Sequence, residues 1–558
     1  EGIKDGQGRW LAWTVFGYDG SYGGSEPLTK GDLTLTRKYY DLPLQTQLPA
    51  TVHSSDMNST YDLYGNKVGE TTYDGYGEAA VNGGAIQWGQ PGGANPVPRT
   101  KSTLYDSTFN VFPVRITETI PSLVTTRGYD FRMGTMTRTT DYNGVPTDYT
   151  YDVFGRNKTQ VRFGDSAQYP TAWIDYHDFE RPVKYVLSQR ETAGVNAYRP
   201  SMQFYDGMGR EIQSKKESKD CRENIVEDKR YDGLGQLIEQ SQPRYVDIGT
   251  PNCAAQSAFW AYANPGAQLY RATRTTYDAA GRKLRIEEPD PAIVSTMQYA
   301  VIGGRRALTS TDALRHMVRR DSDVYSRLTA VHEYSGTGTL TDTYRLDATT
   351  LYAYNPLDLL TTVTDTYSKL TTIQYDSLGR KTRITDPVMG TWQYQAYDPN
   401  GNLKTQLDNR GLRISFSYDA LDRLTAKTYP DGGGDAATYR YDEAVPFGKG
   451  QRTSMSRASG TSISWEYDQR GRKAKATHTI PGLPSQGTRV FRWGYDSGDR
   501  TTTVTYPALS INPQTTVTEQ IRYEFDAGWR QVRVCTNAAQ YNGVCYANNA
   551  EFTPLDQP

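Results

Sequence analysis

The residues able to do chemistry are few and scattered. Five histidines, His53, His177, His316, His332 and His478, stand at spacings that bring no two of them onto one metal. His332-Glu333 begins as a zinc-protease helix does, but Gly336 occupies the place of the second histidine and the flanking residues lack a helical period. Asp398, Asn400 and Asn402 around Gly401 open like a calcium loop, yet the twelfth position is Asn409 rather than Glu. Gly448-Lys449 lacks the upstream Gly and the downstream Ser or Thr of a phosphate loop, and no Gly-x-Ser-x-Gly elbow occurs. Carboxylates are too numerous for a glycosidase pair to be singled out. The sequence therefore assigns no catalytic residue, no metal ligand and no cofactor, and it points away from an enzyme. The remaining capacity is aromatic. The 43 Tyr and 9 Trp would stack on sugar rings if they faced outward, but they are better accounted for as cross-strand pairs that stabilise a sheet.

The most regular carboxylate is the Asp that follows Tyr. Tyr-Asp occurs sixteen times, against ~3 expected from composition, and the best copies open a phrase YDxxGR. They include YDVFGR from Tyr151, YDGMGR from Tyr205, YDGLGQ from Tyr231, YDAAGR from Tyr277, YDSLGR from Tyr375, YDALDR from Tyr418 and YDQRGR from Tyr467. From Tyr375 to Tyr495 the spacings are 22, 21, 23, 26 and 28 residues, a low-twenties period stretched by insertions. Aromatics at alternate positions before the phrase, as in Phe491, Trp493 and Tyr495, have the period of a strand. The short Asp carboxylate can accept an amide hydrogen bond two residues on, and Gly three residues on supplies the positive φ of a tight turn. A second run rich in Thr, Leu, Ile and basic side chains follows, closing at Asp386-Pro387 or Asp408 to Gly411. Each unit thus reads strand, turn, strand, turn, with no room for a helix. The expected fold is all-β: on the order of 40 strands, a ribbon roughly 200 Å long that must curl.

Bulk properties fit one long array. With 62 basic and 63 acidic residues and a net charge of -1, nothing argues for nucleic acid as a partner. No run approaches the length and apolarity of a membrane span. Residues 1–104 form a divergent lead-in that ends in the Gly/Pro-rich stretch 82–98, and residues 105–558 form the regular segment, with wide insertions at 157–204, 214–230 and 241–276. Cys535 and Cys545 flank a short loop that a disulfide would close, and Cys221 and Cys253 pair if their two insertions meet. A repeat array needs a terminal cap, and none is seen before Pro558, so the chain is expected to be a fragment of a longer one.

The YDxxGR phrases, with D-P or D-x-x-G turns between them, resemble the Rhs/YD repeats of bacterial polymorphic toxins, of the B and C components of Tc toxin complexes, and of animal teneurins. The likeness covers roughly residues 105–530. It implies a β-hairpin ribbon spiralling into a hollow shell or cocoon. It further implies a non-catalytic, secreted or cell-surface bacterial protein, whose partners are a cargo polypeptide such as a C-terminal toxin, or other shell chains. The long insertions are closer to Tc or wall-associated shells than to type VI effectors. The teneurin likeness implies the alternative of an extracellular adhesion surface for cell-surface glycans. The self-cleaving core and the toxin of the full family pattern are not found before Pro558, so neither activity is carried onto any residue.

Overall fold

The computed structural model describes residues 2–4, 10–20, 30–40, 51–73, 76–80, 97–120, 122–190, 198–218, 223–247, 261–483, 487–512, 515–526, 529–536, 544–548 and 550–553. These residues form β-strands and turns with no α-helix among them, and no helix is long and apolar enough to cross a membrane. The expected all-β fold is what is found. One sheet contains 42 strands, and a separate two-stranded hairpin joins Leu509–Asn512 to Thr515–Val517.

Chain neighbours pair antiparallel almost throughout, and every ladder bond is therefore local in sequence. Strand Leu370–Tyr375 pairs with Lys381–Asp386, which pairs with Gly390–Tyr397, which pairs with Leu403–Leu407. Most hairpins that close at a Tyr-Asp turn carry an irregularity just before the Tyr: Gln374 faces Arg383, but Tyr375 faces Lys381, whereas the pairings ending at Tyr40 and Tyr73 run without one. This bulge belongs to a short turn ending in a positive-φ residue, and it adds twist at the same place in successive repeats, which makes the ribbon curl. Gly379 has φ 77° and Gly235 φ 82°, as the turn reading requires. Asp422, Asp499 and Ser326 take the same place at φ between 60° and 70°, and Arg315 and Trp529 take it at φ 66°, so the turn geometry holds even where the residue is not Gly.

Two strands branch from the ribbon. Thr51–Tyr61 pairs along one half with Lys67–Tyr73 and along the other with Gly77–Ala80, and Glu223–Tyr231 likewise holds both Leu237–Ser241 and Arg244–Asp247. The stretches 157–204 and 214–230, expected as insertions, are mostly ladder. Ala172–His177, Val183–Arg190 and Tyr198–Tyr205 pair in sequence, the first two joined by the weak turn at His177-Asp178. The connections between these three strands lack the phrase, but their alternation is intact. Strand Pro98–Tyr105 pairs directly with Lys67–Tyr73 across the Gly/Pro-rich stretch, most of which lies outside the described residues.

The core is thin. Val186, Met202 and Phe204 form one buried cluster with Ile212 and Tyr262, and Trp465, Tyr467 and Ala476 form another with Phe447, Met455, Ile463 and Trp493. The first lies where residues 261–263 cross the sheet, with Gln213 and Lys215 bonded to the carbonyls of Ala263 and Ala261. Cys535 and Cys545 stand opposite each other on paired strands and form a disulfide. Cys221 and Cys253 lie outside the described residues.

Candidate functional site: the turn clamp and the seam between windings

The repeated Tyr, Asp and Gly do what their chemistry suggests, and the Arg of the phrase adds a link that sequence reading missed. In YDSLGR, Asp376 Oδ1 accepts the backbone N–H groups of Leu378 (3.0 Å) and Arg380 (2.9 Å). Its Oδ2 accepts the Arg380 side chain at 2.7 Å. The other side of the guanidinium looks to the next repeat, donating to the carbonyl of Asp398 at 3.1 Å and lying over the ring of Tyr397, 4.7 Å from its centroid. The Tyr397 hydroxyl donates back to the carbonyl of Lys381 at 2.6 Å. Burial first, and the nearby Asp376 charge second, push that phenol up to about 12, so it remains a donor.

The same closed circuit recurs along the ribbon. Arg472 bonds Asp468 in its own turn, lies over Tyr495 and donates to the Asp496 carbonyl, while Tyr495 bonds the Lys473 carbonyl. Arg210 does the same with Asp206, Tyr231 and the Asp232 carbonyl. A hairpin closed by its own Asp is thus fastened to the following hairpin by its Arg. The signal was the sixth letter of the phrase, but its partner lies a whole repeat away.

The motifs weighed for other chemistry are absorbed into the sheet. His332 lies on strand Leu328–Ser335, its ring between Asp321 (3.0 Å) and Thr349 (3.1 Å). The Asp398 oxygens accept the amides of Asn400 and Asn402 and the Asn402 side chain, the ordinary turn pattern. His316 caps its own turn on Asp312, and His177 bonds Glu180. Lys449 pairs through its backbone with Asn143. Trp465 is buried against Trp493 within the second core cluster, so these two rings form no outward platform.

Asn143 and Lys449 are far apart in sequence, and their contact is one of a series. Tyr76 donates to the Asp398 carbonyl and accepts from Arg380; Arg99 bonds Asp422 at 2.5 Å; Arg162 bonds Asp499 at 2.5 Å. Arg470 donates to Asp165 (2.7 Å), to the Phe163 carbonyl and to the Ser497 carbonyl. Further along, Tyr245 meets Phe552 and Arg530. Most of these pairs are 304 to 337 residues apart, so the ribbon returns to itself once per winding. The contact is always between opposite edges. Asp398, Asp422, Arg470 and Asp499 belong to the Tyr-Asp edge of the later winding, whereas Arg99, Asn143, Arg162 and Asp165 belong to the return-turn edge of the earlier one. Arg470 and Asp165 are nearly fully buried in this seam.

From strand Pro98–Tyr105 to strand Arg413–Tyr418 the ladder takes about 24 steps. At ~4.8 Å each, that is a circuit of roughly 115 Å, or a ring roughly 37 Å across, wider than the side chains of a single sheet can fill.

The class defined by these features is an all-β repeat wall: hairpins locked turn to turn, coiled so that one edge rests on the other. The RHS Repeat family model matches residues 397–433, which span the Tyr397, Asp408 and Tyr418 turns. Phrase, matched repeat and fold together support an Rhs/YD-repeat protein. The fold is similar to TcdB2-TccC3 without its hypervariable C-terminal region, with a TM-score of 0.56 and 12% identity, covering 95% of this chain and 36% of that one. It is also similar to the Photorhabdus luminescens Tc holotoxin pore with the TccC3 mutation D651A, with a TM-score of 0.50 and 12% identity over 95% of this chain and 40% of that one. In sequence it is 24% identical over 264 residues to double-stranded DNA deaminase toxin A of Burkholderia cenocepacia strain H111, covering 46% of this chain and 17% of that protein. The chain therefore spans well under half the length of each protein it matches. The likeness to the two solved structures is one of fold, with the RHS Repeat match lying inside it.

Proposed function

We propose that the chain is a wall segment of a secreted, extracellular Rhs shell that encloses a polypeptide cargo, such as a C-terminal toxin, and has no turnover chemistry of its own. The seam carries this reading. A ribbon whose edges meet once per winding, around a ring too wide to be filled by its own side chains, encloses space. The contacts at Arg99–Asp422 and Arg470–Asp165 seal the wall rather than hold a ligand. The alternative, a glycan-binding adhesion surface, is less well supported, because Trp465 and Trp493 are spent on the sheet's own packing. We further propose that residues 1–104 act as a divergent lead-in to the regular segment 105–558, a division that limited proteolysis within 82–98 would test.

The test of containment is protease protection in the intact gene product. A polypeptide held inside should resist a protease that digests it once Arg470→Ala and Arg99→Ala open the seam. Equal digestion with and without the seam variants would contradict the proposal, as would binding of glycans lost on changing Trp493.

A further inference from the structure

The disulfide stands next to one of the contacts between windings. Strand Cys545–Ala547 has three residues and meets Gln531–Thr536 at two positions, Val534 opposite Ala547 and Cys535 opposite Cys545. Beyond it, residues 550–553 reach the earlier winding, where the Tyr245 hydroxyl donates to the Phe552 carbonyl. Arg530, held by Asp526 in its own turn, donates to the Tyr245 oxygen at 3.0 Å and lies over the Phe552 ring, 5.2 Å from its centroid. A strand too short to be stable alone thus carries a seam contact, and the disulfide ties that strand to the ribbon. Arg533 sits beside the sulfur. Its Nε donates to Asn548 at 3.0 Å and its Nη1 to Glu524 at 2.8 Å, an orientation that brings Nη2 to 3.7 Å from Cys545 Sγ. A guanidinium there favours Cys545 as a thiolate, and a better-stabilised thiolate leaves faster in thiol–disulfide exchange. Both cysteines are half-buried, not sealed in the sheet.

We propose that Cys535–Cys545 is a reactive site for a dithiol reductant and that its reduction unlatches the seam at Tyr245. One thiolate of the reductant attacks Cys535 Sγ, the Sγ–Sγ bond breaks, and Cys545 leaves as a thiolate beside Arg533. The second thiolate of the reductant then attacks the mixed disulfide, Cys535 leaves and takes up a proton, and the reductant departs as its own disulfide. Two electrons pass to the pair, and residues 545–553 lose their covalent tie to Gln531–Thr536. This junction is then closed in an oxidising compartment and open in a reducing one, whatever the wall encloses.

Hydrogen exchange of the intact gene product, oxidised, reduced with dithiothreitol and reoxidised, tests the latch. Reduction should speed exchange about tenfold in residues 545–553 and in strand Arg244–Asp247, leave Leu370–Tyr375 unchanged, and be reversed by reoxidation. The double variant Cys535→Ser, Cys545→Ser should show the reduced pattern without any reductant, which separates this pair from the other cysteines. Arg533→Gln should slow reduction by dithiothreitol about tenfold at fixed pH, and Arg533→Lys should restore most of the rate. Unchanged exchange at Arg244–Asp247 on reduction would overturn the latch, as would loss of protection along the whole ribbon, which would make the disulfide a general staple. Reduction of Arg533→Gln as fast as the parent chain would overturn the reactive site, and so would peptide mapping of the unreduced protein that finds Cys535 and Cys545 unlinked.

Discussion

At Asp376 one carboxylate closes its own turn with Oδ1 and holds Arg380 with Oδ2, so removing it takes away charge-assisted bonds as well as a turn cap. Asp376→Ala is expected to cost about 2 kcal/mol, measured by native-state hydrogen exchange in its hairpin. Asp232→Ala should cost less, about 1 kcal/mol, because Gln236 replaces the Arg and only the amides of Leu234 and Gln236 lose a partner. Equal effects would mean that the Arg clamp adds nothing. Gly379→Val forces a β-branched residue to φ 77° and should cost about 1 to 3 kcal/mol. Gly379→Asn should cost clearly less, since Asp422 and Asp499 already occupy that region. The roles of Asp and Gly were legible because they act within five residues. That of Arg was not, because its ring and carbonyl partners belong to the next repeat.

For the hairpin, the informative element is the turn from Tyr105 to Pro113. Burial alone would raise the Asp106 carboxyl, but the amides of Phe109, Phe112, Val111 and Thr108 outweigh it and hold the group at about 2. Its unfolded value is about 3.9. A carboxyl lowered by folding stabilises the hairpin fully above about 4, and that contribution is lost as pH falls toward 2. Exchange protection in Pro98–Tyr105 and Pro113–Thr117 should therefore drop over this interval, and Asp106→Asn should flatten the dependence. An unchanged acid profile in the variant would rule the mechanism out. Strand alternation and turn residues made the elements readable. The stretches 157–204 and 214–230 read as insertions in the sequence because the phrase decays there while the ladder does not: His177-Asp178 turns the chain without Tyr-Asp, and Val183–Arg190 is buried at alternate positions.

The whole molecule depends on contacts that no local pattern encodes. A ribbon of hairpins was evident from the period, but the length of a winding, and which edge meets which, follow from twist accumulated over many bulges. Nothing in the spacing of Arg470 and Asp165, 305 residues apart, announces their bond. Arg470→Ala removes one of the two guanidinium partners of the buried Asp165, which keeps Arg190 and Thr171, and is expected to cost about 2 kcal/mol. The cost should be insensitive to salt because the pair is shielded from solvent. Exposed pairs such as Arg138–Asp148 should contribute little.

The central claim is that the ribbon coils edge on edge around a space. Electron cryomicroscopy of the intact gene product tests it most directly. The account predicts a thin-walled hollow particle in which the turn at Asp422 lies against Arg99, and Arg470 against Asp165, one winding apart. A filled particle, or a ribbon whose windings meet Tyr-Asp edge to Tyr-Asp edge, would contradict it.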